Sequence, residues 1–411
     1  MRRRRILQGI GAATAISAAG CLGDDDDDAD DGDDTAPGDD SDDGDDSAPS
    51  VEEVVIGAIQ PLTGNFSPWG ETHQLGLEYG IEDANETYDD YEFILESVDT
   101  GSDPSEAAVL FSELVESDNA VAITGANSSD VGVAVAEIAE DMEVPNILHM
   151  AGDEEIISQD SRYTFRHGWP PAPPHVQADV EFVVDQGYSS VGAIVADYAW
   201  GRAVERNMEE LYPDDIDVYI DVVPLGESDY STALRDMPDD IEIMTYVGDP
   251  PGAINAASTQ LELEIDVPAL GVDAPQTAVY DALGDDVENV ITRHVANLEG
   301  DIFLDLADRI AEEEDRPIYA YEPIGYSTGQ VIAECVDAVG PDPVAIADHM
   351  RETSFDTIHE NPLQYTEWGE FDGLILKFSE FVLEAPEYYP DGDFRLNTIT
   401  QTEPIEPHIP E

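Results

Sequence analysis

The side chains best suited to chemistry stand at the ends of apolar runs. Ser128 and Ser129 follow the run Ala120–Thr124 where it gives way to a helical pattern. Their hydroxyls and the helix N–H groups would converge there on an acceptor such as a carboxylate. Ala151 and Gly152 follow the next run, and Asp249 and Asp273 close two later ones. Trp69 follows Phe66-Ser67-Pro68 in the first loop, and Tyr198 and Trp200 share the loop Tyr198-Ala199-Trp200-Gly201. An indole can stack on an apolar group or a cation and donates one hydrogen bond, but it accepts none. This is equipment for gripping a solute rather than for making or breaking bonds. The eight histidines show no zinc-ligand spacing, and neither a G-x-S-x-G elbow nor a G-x-x-x-x-G-K-[ST] loop occurs. The expectation is no catalytic residue, no metal and no cofactor.

Strands and helices must hold these residues in place, and their order is that of an α/β protein. Val54–Ile59 is β-rich and is followed by an amphipathic segment from about Gly70 to Asn85. The same grammar repeats through Glu92–Val98 and Pro104–Glu116, Ala120–Thr124 and Ser129–Asp141, then Pro145–His149. It restarts after Trp169-Pro170-Pro171 with a helix over 175–186, a strand over 191–196, a helix over 202–211, and further strands over 218–223, 241–247 and 267–272. Near-continuous apolar strands separated by helices imply parallel sheets covered on both faces. Two such doubly wound lobes would share a cleft beyond the carboxyl ends of their strands.

Charge narrows the setting. The 411 residues carry a formal net charge of −79. Fifteen of the 94 acids fall in Asp24–Asp46 and four of the 15 bases in the first five residues. That leaves 79 acids against 11 bases beyond residue 50, a net −68 on the part expected to fold. Lys377 is the single lysine beside fourteen arginines. Self-repulsion on this scale opposes compaction at ordinary ionic strength, but at molar salt the Debye length is about 3 Å and the penalty largely vanishes. The composition fits concentrated brine. Nucleic acid is excluded as a partner by phosphate repulsion, and a calcium buffer by the lack of an EF-hand loop spacing.

The amino terminus reads as an address and a tether. Arg3-Arg4-Arg5-Ile6-Leu7 resembles a twin-arginine export signal, Ile10–Gly20 is too short and too weakly apolar to span about 30 Å of hydrocarbon, and Ala18-Ala19-Gly20-Cys21 resembles a lipobox. Cys21 would carry the lipid. Cys335 then stays a lone, buried thiol without an intrachain disulfide. Residues 22–50, with no aromatic side chain, form a disordered, self-extending acidic linker in this reading. The Pro- and Glu-rich end, Thr398–Glu411 with the tail proper at 401–411, is expected to fray.

Several blocks, in order and spacing, resemble the branched-chain amino acid type of periplasmic substrate-binding protein, similar to Leu/Ile/Val-binding proteins, in a haloarchaeal-like lipoprotein. They are Val54 to Gly64 with Gly70-Glu71 and Gly76; Asp99-Thr100, Asp103-Pro104 and Ala107-Ala108; Thr124 to Ser129 with Ala134-Val135-Ala136; Val144-Pro145; Phe165-Arg166; Asp197 to Gly201; and Asp229-Tyr230-Ser231. The resemblance covers most of 53–400. It implies the type I periplasmic-binding fold: two lobes joined by a three-strand hinge, here 51–170 plus 298–343 and 171–297 plus 344–400, after a 1–20 signal and a 21–50 linker. The hinge is expected near His167–Pro171, Ala296–Asn297 and Gly340–Pro343.

In function, the resemblance implies an extracytoplasmic, lipid-anchored monomer of an ABC importer, delivering an amino acid-like solute to permease and ATPase subunits. The serine pair resembles the family's carboxylate-binding serine, Asp273 its acidic ligand for an α-ammonium, and Trp200 stands where the family has tyrosine. Gly152 replaces a frequent threonine, and Pro250 and Pro251 replace a hydrogen-bonding tyrosine. Branched-chain or other amino acids, small amides or urea, and aromatic acids all stay open as ligands. A ligand-sensing domain for a membrane receptor, and a hydrolase of extracellular solutes, are the rival readings.

Overall fold

The computed structural model describes residues 51–410. The export signal, Cys21 and the acidic linker lie outside the described residues. The first half winds as β1 (Glu52–Gln60), α1 (Ser67–Thr87), β2 (Tyr91–Asp99), α2 (Pro104–Glu116), β3 (Ala122–Thr124), α3 (Ser129–Met142), β4 (Asn146–Leu148) and β5 (Thr164–Arg166). These strands form one parallel sheet in the order β2-β1-β3-β4-β5. The helix α1 starts at Ser67, ahead of the expected Gly70, because Pro68 pre-sets the backbone of a first helical turn. Phe165-Arg166, expected only as a crossover, forms the fifth strand.

A second winding follows: α4 (Ala172–Gln186), β6 (Ser190–Asp197), α5 (Ala199–Leu211), β7 (Asp217–Pro224), α6 (Ser231–Asp236), β8 (Ile243–Val247), α7 (Pro250–Glu262), β9 (Ala269–Leu270), α8 (Gln276–Leu283) and β10 (Val290–His294). The chain then runs through α9 (Asp301–Glu314), α10 (Glu322–Val339), α11 (Pro343–Glu352), the two-residue strands β11 (Ser354–Phe355) and β12 (Leu363–Gln364), then β13 (Lys377–Val382) and β14 (Arg395–Gln401). The second sheet has the order β14-β13-β10-β9-β8-β6-β7, parallel from β10 to β7 and antiparallel at β13 and β14. The fold is α/β with two parallel-sheet lobes.

Helix α10 returns to the first lobe and lies directly against α1. The helices approach so closely that a Cβ on Gly76 would strike the Glu322 carbonyl, and one on Gly325 the His73 carbonyl. Cys335, on the buried face of α10, is fully enclosed, and burial raises its thiol pKa above the usual value. Helix α11, expected with the second lobe, packs on α10 instead, and its Arg351 guanidinium sits 5.6 Å from the Phe165 ring of β5.

Three passages join the lobes ahead of the C-terminal stretch, at 167–171, 295–300 and 365–376. The third replaces the expected crossing at Gly340–Pro343, where the chain only turns from α10 into α11. Hydrogen bonds tie the crossing segments to one another. Arg166 N–H donates to the Gly369 carbonyl at 2.8 Å and Asn297 N–H to the Ile358 carbonyl at 2.7 Å. The buried Arg166 Nε donates to both oxygens of Glu370, at 3.1 and 2.9 Å. The tail is ordered rather than frayed: Ile405 bridges to Leu374, Trp368 Nε1–H donates to the His408 carbonyl at 3.0 Å, and Gln159 Nε2–H to the Pro410 carbonyl at 2.6 Å. Residues 402–410 thus run from β14 back to the first lobe as a strap beside the hinge.

Candidate functional site

Strand ends of the two sheets face each other across a small interlobe cavity. The first lobe contributes Trp69 from α1, Asn127 and Ser129 from the β3–α3 turn, and Met150 after β4. The second contributes His175 from α4, Tyr198 and Trp200 from the start of α5, Tyr246 to Gly248 at the end of β8, Gly271 and Asp273 after β9, and Arg293 from β10, with Trp169 at the crossing. The placement follows from parallel winding, which collects loops and helix N-termini at the carboxyl edge of each sheet.

The two serines divide their work. Ser128 Oγ accepts from Val131 N–H at 3.3 Å and caps α3. Ser129 Oγ accepts from the N–H groups of Gly152 and Asp153, both at 3.1 Å. Both lone pairs are thereby occupied, and the only capacity left to this hydroxyl is to donate its proton. Asn127, beside it, is fixed by a donation to Gln60 Oε1 at 3.2 Å and a 2.6 Å contact with His149 Nδ1. Burial drives His149 well below its usual value, so it is neutral.

Ala151 and Gly152 do not line the cavity, but they build its wall. The Ala151 carbonyl accepts from the Arg166 guanidinium and the Gly152 carbonyl from Ala172 N–H at 2.9 Å. A Cβ on Gly152 would run into the six-membered ring of Trp200. No side chain fits there while the lobes are together, which explains why threonine is replaced. The substitution Gly152→Ala is therefore expected to push Trp200 aside and weaken solute binding by about tenfold, or about 1.4 kcal/mol. The melting point without solute should move little. Calorimetric titration paired with thermal denaturation checks this, and unchanged affinity would mean that Trp200 moves freely.

The lobes are in contact across the cleft. Trp69 Nε1–H donates to the Asp273 carbonyl at 3.0 Å, Ala199 N–H to Asp130 Oδ1 at 3.2 Å, and Arg206 pairs with Glu154 at 2.6 Å. The rings of Phe66 and Tyr198 lie 5.6 Å apart. Trp200 meets His175 edge-on, with centroids at 4.9 Å.

Asp273 lines the cavity, yet its carboxylate is fully engaged. Oδ1 accepts from Thr292 Oγ1 at 3.3 Å and from Arg293 N–H at 2.8 Å, and Oδ2 accepts from Arg293 Nε at 3.0 Å and meets Arg293 NH2 at 2.8 Å. Arg293 also pairs with Asp179 at 2.7 Å and donates to His175 Nε2 at 2.8 Å. All four groups are almost fully buried. Burial raises the Asp179 carboxyl to about 6 even with Arg293 beside it. Burial alone would lower the guanidinium pKa, but the two carboxylates outweigh it, raising the value and keeping the group charged. Burial first, and the Arg293 charge second, hold His175 well below its usual value and neutral. Asp249, expected at the cleft, caps α7 instead: Gly252 N–H donates to Oδ2 at 3.2 Å.

Arg293, His175, Trp169, Tyr246, Met150 and Asn127 were not among the residues expected from sequence. Arg293 carried a signal, since an arginine within Val290–His294 interrupts an apolar run in a chain poor in bases, and buried arginines are nearly always paired. No group of three or more His, Cys, Asp or Glu side chains able to hold a metal occurs among the described residues.

A family described as periplasmic binding protein matches residues 53–371. No curated protein matches the chain. Among solved structures, a periplasmic binding protein from Burkholderia mallei superposes with a TM-score of 0.75 at 16% identity, covering 86% of this chain and 95% of its own. A leucine-binding protein from Thermotoga maritima gives 0.70 at 20%, covering 85% and 99%. A solute-binding protein of an ABC transporter from Rhodopseudomonas palustris, in complex with 3,4-dihydroxybenzoic acid, gives 0.74 at 18%, covering 86% and 98%. Two wound lobes closed over a strand-end cavity and a family match across more than three quarters of the sequence agree, and the chain belongs to the periplasmic binding protein family.

Proposed function

We propose that this protein captures a small solute between its lobes and presents the closed form to an ABC permease. The carrying observation is the contact across the cleft, with Trp69 of one lobe hydrogen-bonded to Asp273 of the other over a cavity lined by both. Closure creates a surface that the open form lacks, so a partner can tell loaded from empty. The sequence signals at Arg3–Leu7 and Cys21 support export and lipid anchoring on the outer face of the cell membrane. Among the described residues no helix is long and apolar enough to cross a membrane, which leaves the lipid as the proposed attachment. The resemblance and the names of the structural neighbours point to amino acids or aromatic acids as solutes.

The test is a thermal-shift panel in about 3 M KCl with amino acids, amides, urea and aromatic acids. A solute at one hundred times its dissociation constant should add about 2.7 kcal/mol of stability. A panel without any shift would sink the capture reading, and turnover of a bound solute would replace it with a hydrolase.

A further inference from the structure

Each large sheet ends in two edge strands, and an edge presents a row of unpaired backbone N–H and C=O groups that invites another strand. Three of these four edges are blunted. Along β2 the Asn85 side chain accepts from Phe93 N–H at 2.7 Å and donates to the Phe93 carbonyl at 3.0 Å. Along β5 the third crossing lies against the backbone, with Arg166 N–H donating to the Gly369 carbonyl. Strand β14 carries a bulge opposite Phe378 and Ser379 and begins on a cation, Arg395.

Strand β7 has neither a bulge nor a cover. All of its residues, Asp217–Pro224, stay in register with β6, and among the described residues no backbone group of 218–223 bonds to anything outside that ladder. Tyr219 and Val222 are 36% and 42% exposed, and among the described residues they are the only two exposed large apolar side chains that share a strand. Val218, Ile220 and Val222 lie on one face by the two-residue period. Val218 and Ile220 continue into a groove with Met208 and Tyr212 of α5 and with Ile216.

A strand that pairs with this edge must accommodate Asp217 and Asp221, and a second copy of β7 does so in one way. A two-fold axis perpendicular to the sheet keeps every side chain on its own face, so in an antiparallel pair it must pass through a residue. With the axis at Tyr219, Asp217 opposes Asp221 of the second copy, and with the axis at Asp221 that residue opposes itself. With the axis at Ile220, Asp217 falls opposite Val223, Val218 opposite Val222 and Tyr219 opposite Asp221, while Ile220 meets its own copy. No acid then faces an acid, and Val218, Ile220 and Val222 merge with their counterparts into one apolar patch. The diagonal Asp217–Asp221 approach is about 7–8 Å, well beyond the Debye length of about 3 Å at molar salt. We infer that β7 is a self-association edge: two copies of this chain join antiparallel about Ile220 and merge their seven-stranded sheets into one, in place of the monomer that the resemblance implies.

Size-exclusion chromatography with light scattering in about 3 M KCl tests it, on the full chain carrying Cys21→Ser, whose one remaining thiol is the enclosed Cys335. The expected mass is twice the 44.6 kDa of a single chain. The substitution Val222→Asp sets a carboxylate in the shared patch at an already exposed position. It should weaken association at least tenfold and leave the melting point within a few degrees. Directly opposed Cα atoms lie about 4.5–5.5 Å apart, within reach of a disulfide. Adding Ile220→Cys should therefore give a covalent dimer under mild oxidation, whereas Tyr219→Cys, about 8 Å from its own copy, should not cross-link. A monomer before any edge substitution overturns the inference. So does a dimer that Val222→Asp leaves intact, or one that Tyr219→Cys cross-links as readily as Ile220→Cys.

Discussion

Replacing Arg293 with methionine is expected to cost about 3–5 kcal/mol of folding stability, the range for breaking a buried ion pair by removing one partner. The guanidinium is the shared counter-charge of Asp179 and Asp273, and neither is exposed enough for water to take its place. The pH dependence carries a definite sign. Burial already raises Asp179 to about 6 in the folded state, against an unfolded value near 3.9. A carboxyl raised on folding favours the native state at low pH, and that contribution is lost as pH rises from about 4 through the folded value. Without Arg293 the upward shift grows. The variant's deficit should therefore be small near pH 4–5 and complete by about pH 7.5. Urea denaturation at those two pH values measures it. Adding Asp179→Asn and Asp273→Asn should recover most of the loss, since the stranded charges are then gone. A deficit under about 1 kcal/mol at pH 7.5 would mean that the cluster is wetter than its burial implies.

Lowering the salt is expected to unfold the protein altogether. Two like charges 10 Å apart in water repel by about 0.4 kcal/mol when unscreened. Beyond residue 50 there are 79 acids and only 11 bases, and several of those bases are already consumed in buried pairs such as Arg166–Glu370 and Arg293–Asp179. A few tens of such repulsions equal the total stability of a typical domain, about 5–15 kcal/mol. Between about 1 M and 0.1 M salt the Debye length grows from roughly 3 to 10 Å, so neighbouring acids begin to sense one another. Circular dichroism across a KCl series from about 3 M to 0.1 M should show a cooperative loss of structure. Sucrose added at low salt should restore it far less well than an equal ionic strength of choline chloride. A native spectrum at 0.1 M would remove self-repulsion from the account.

Long apolar strands announced themselves in the sequence because burial on both faces demands near-continuous Val, Ile and Ala, as in β1 and β6. The strands that are not legible in the sequence are very short, as β5, broken by polar and charged residues, as β10 with Thr292-Arg293-His294, or half-exposed, as β14, and their pairing is decided by tertiary neighbours. The same distinction runs through the site. Ser129, Trp69, Tyr198 and Trp200 could be placed because strand-end loops face a cleft in any parallel sheet. Asp249 and Asp273 also sit at strand ends, but whether a carboxylate faces solute, caps a helix or holds an arginine depends on partners far along the chain. Arg293 lies 20 residues after Asp273 and 114 after Asp179, and no local pattern links them. The third hinge passage was misplaced for a related reason. Gly340 and Pro343 mark a turn between two helices of one lobe, whereas the true crossing at 365–376 is held by Arg166–Glu370, again a long-range pair.

The docked C-terminal strap gives the molecule a built-in gauge. Because residues 402–410 leave the second sheet and end beside Gln159 and Trp368, any swing of one half against the other must slide or stretch this stretch of chain. A fluorophore attached near His408, beside the hinge, would report that swing. A bulky fusion partner joined at the same end would act as a brake on it.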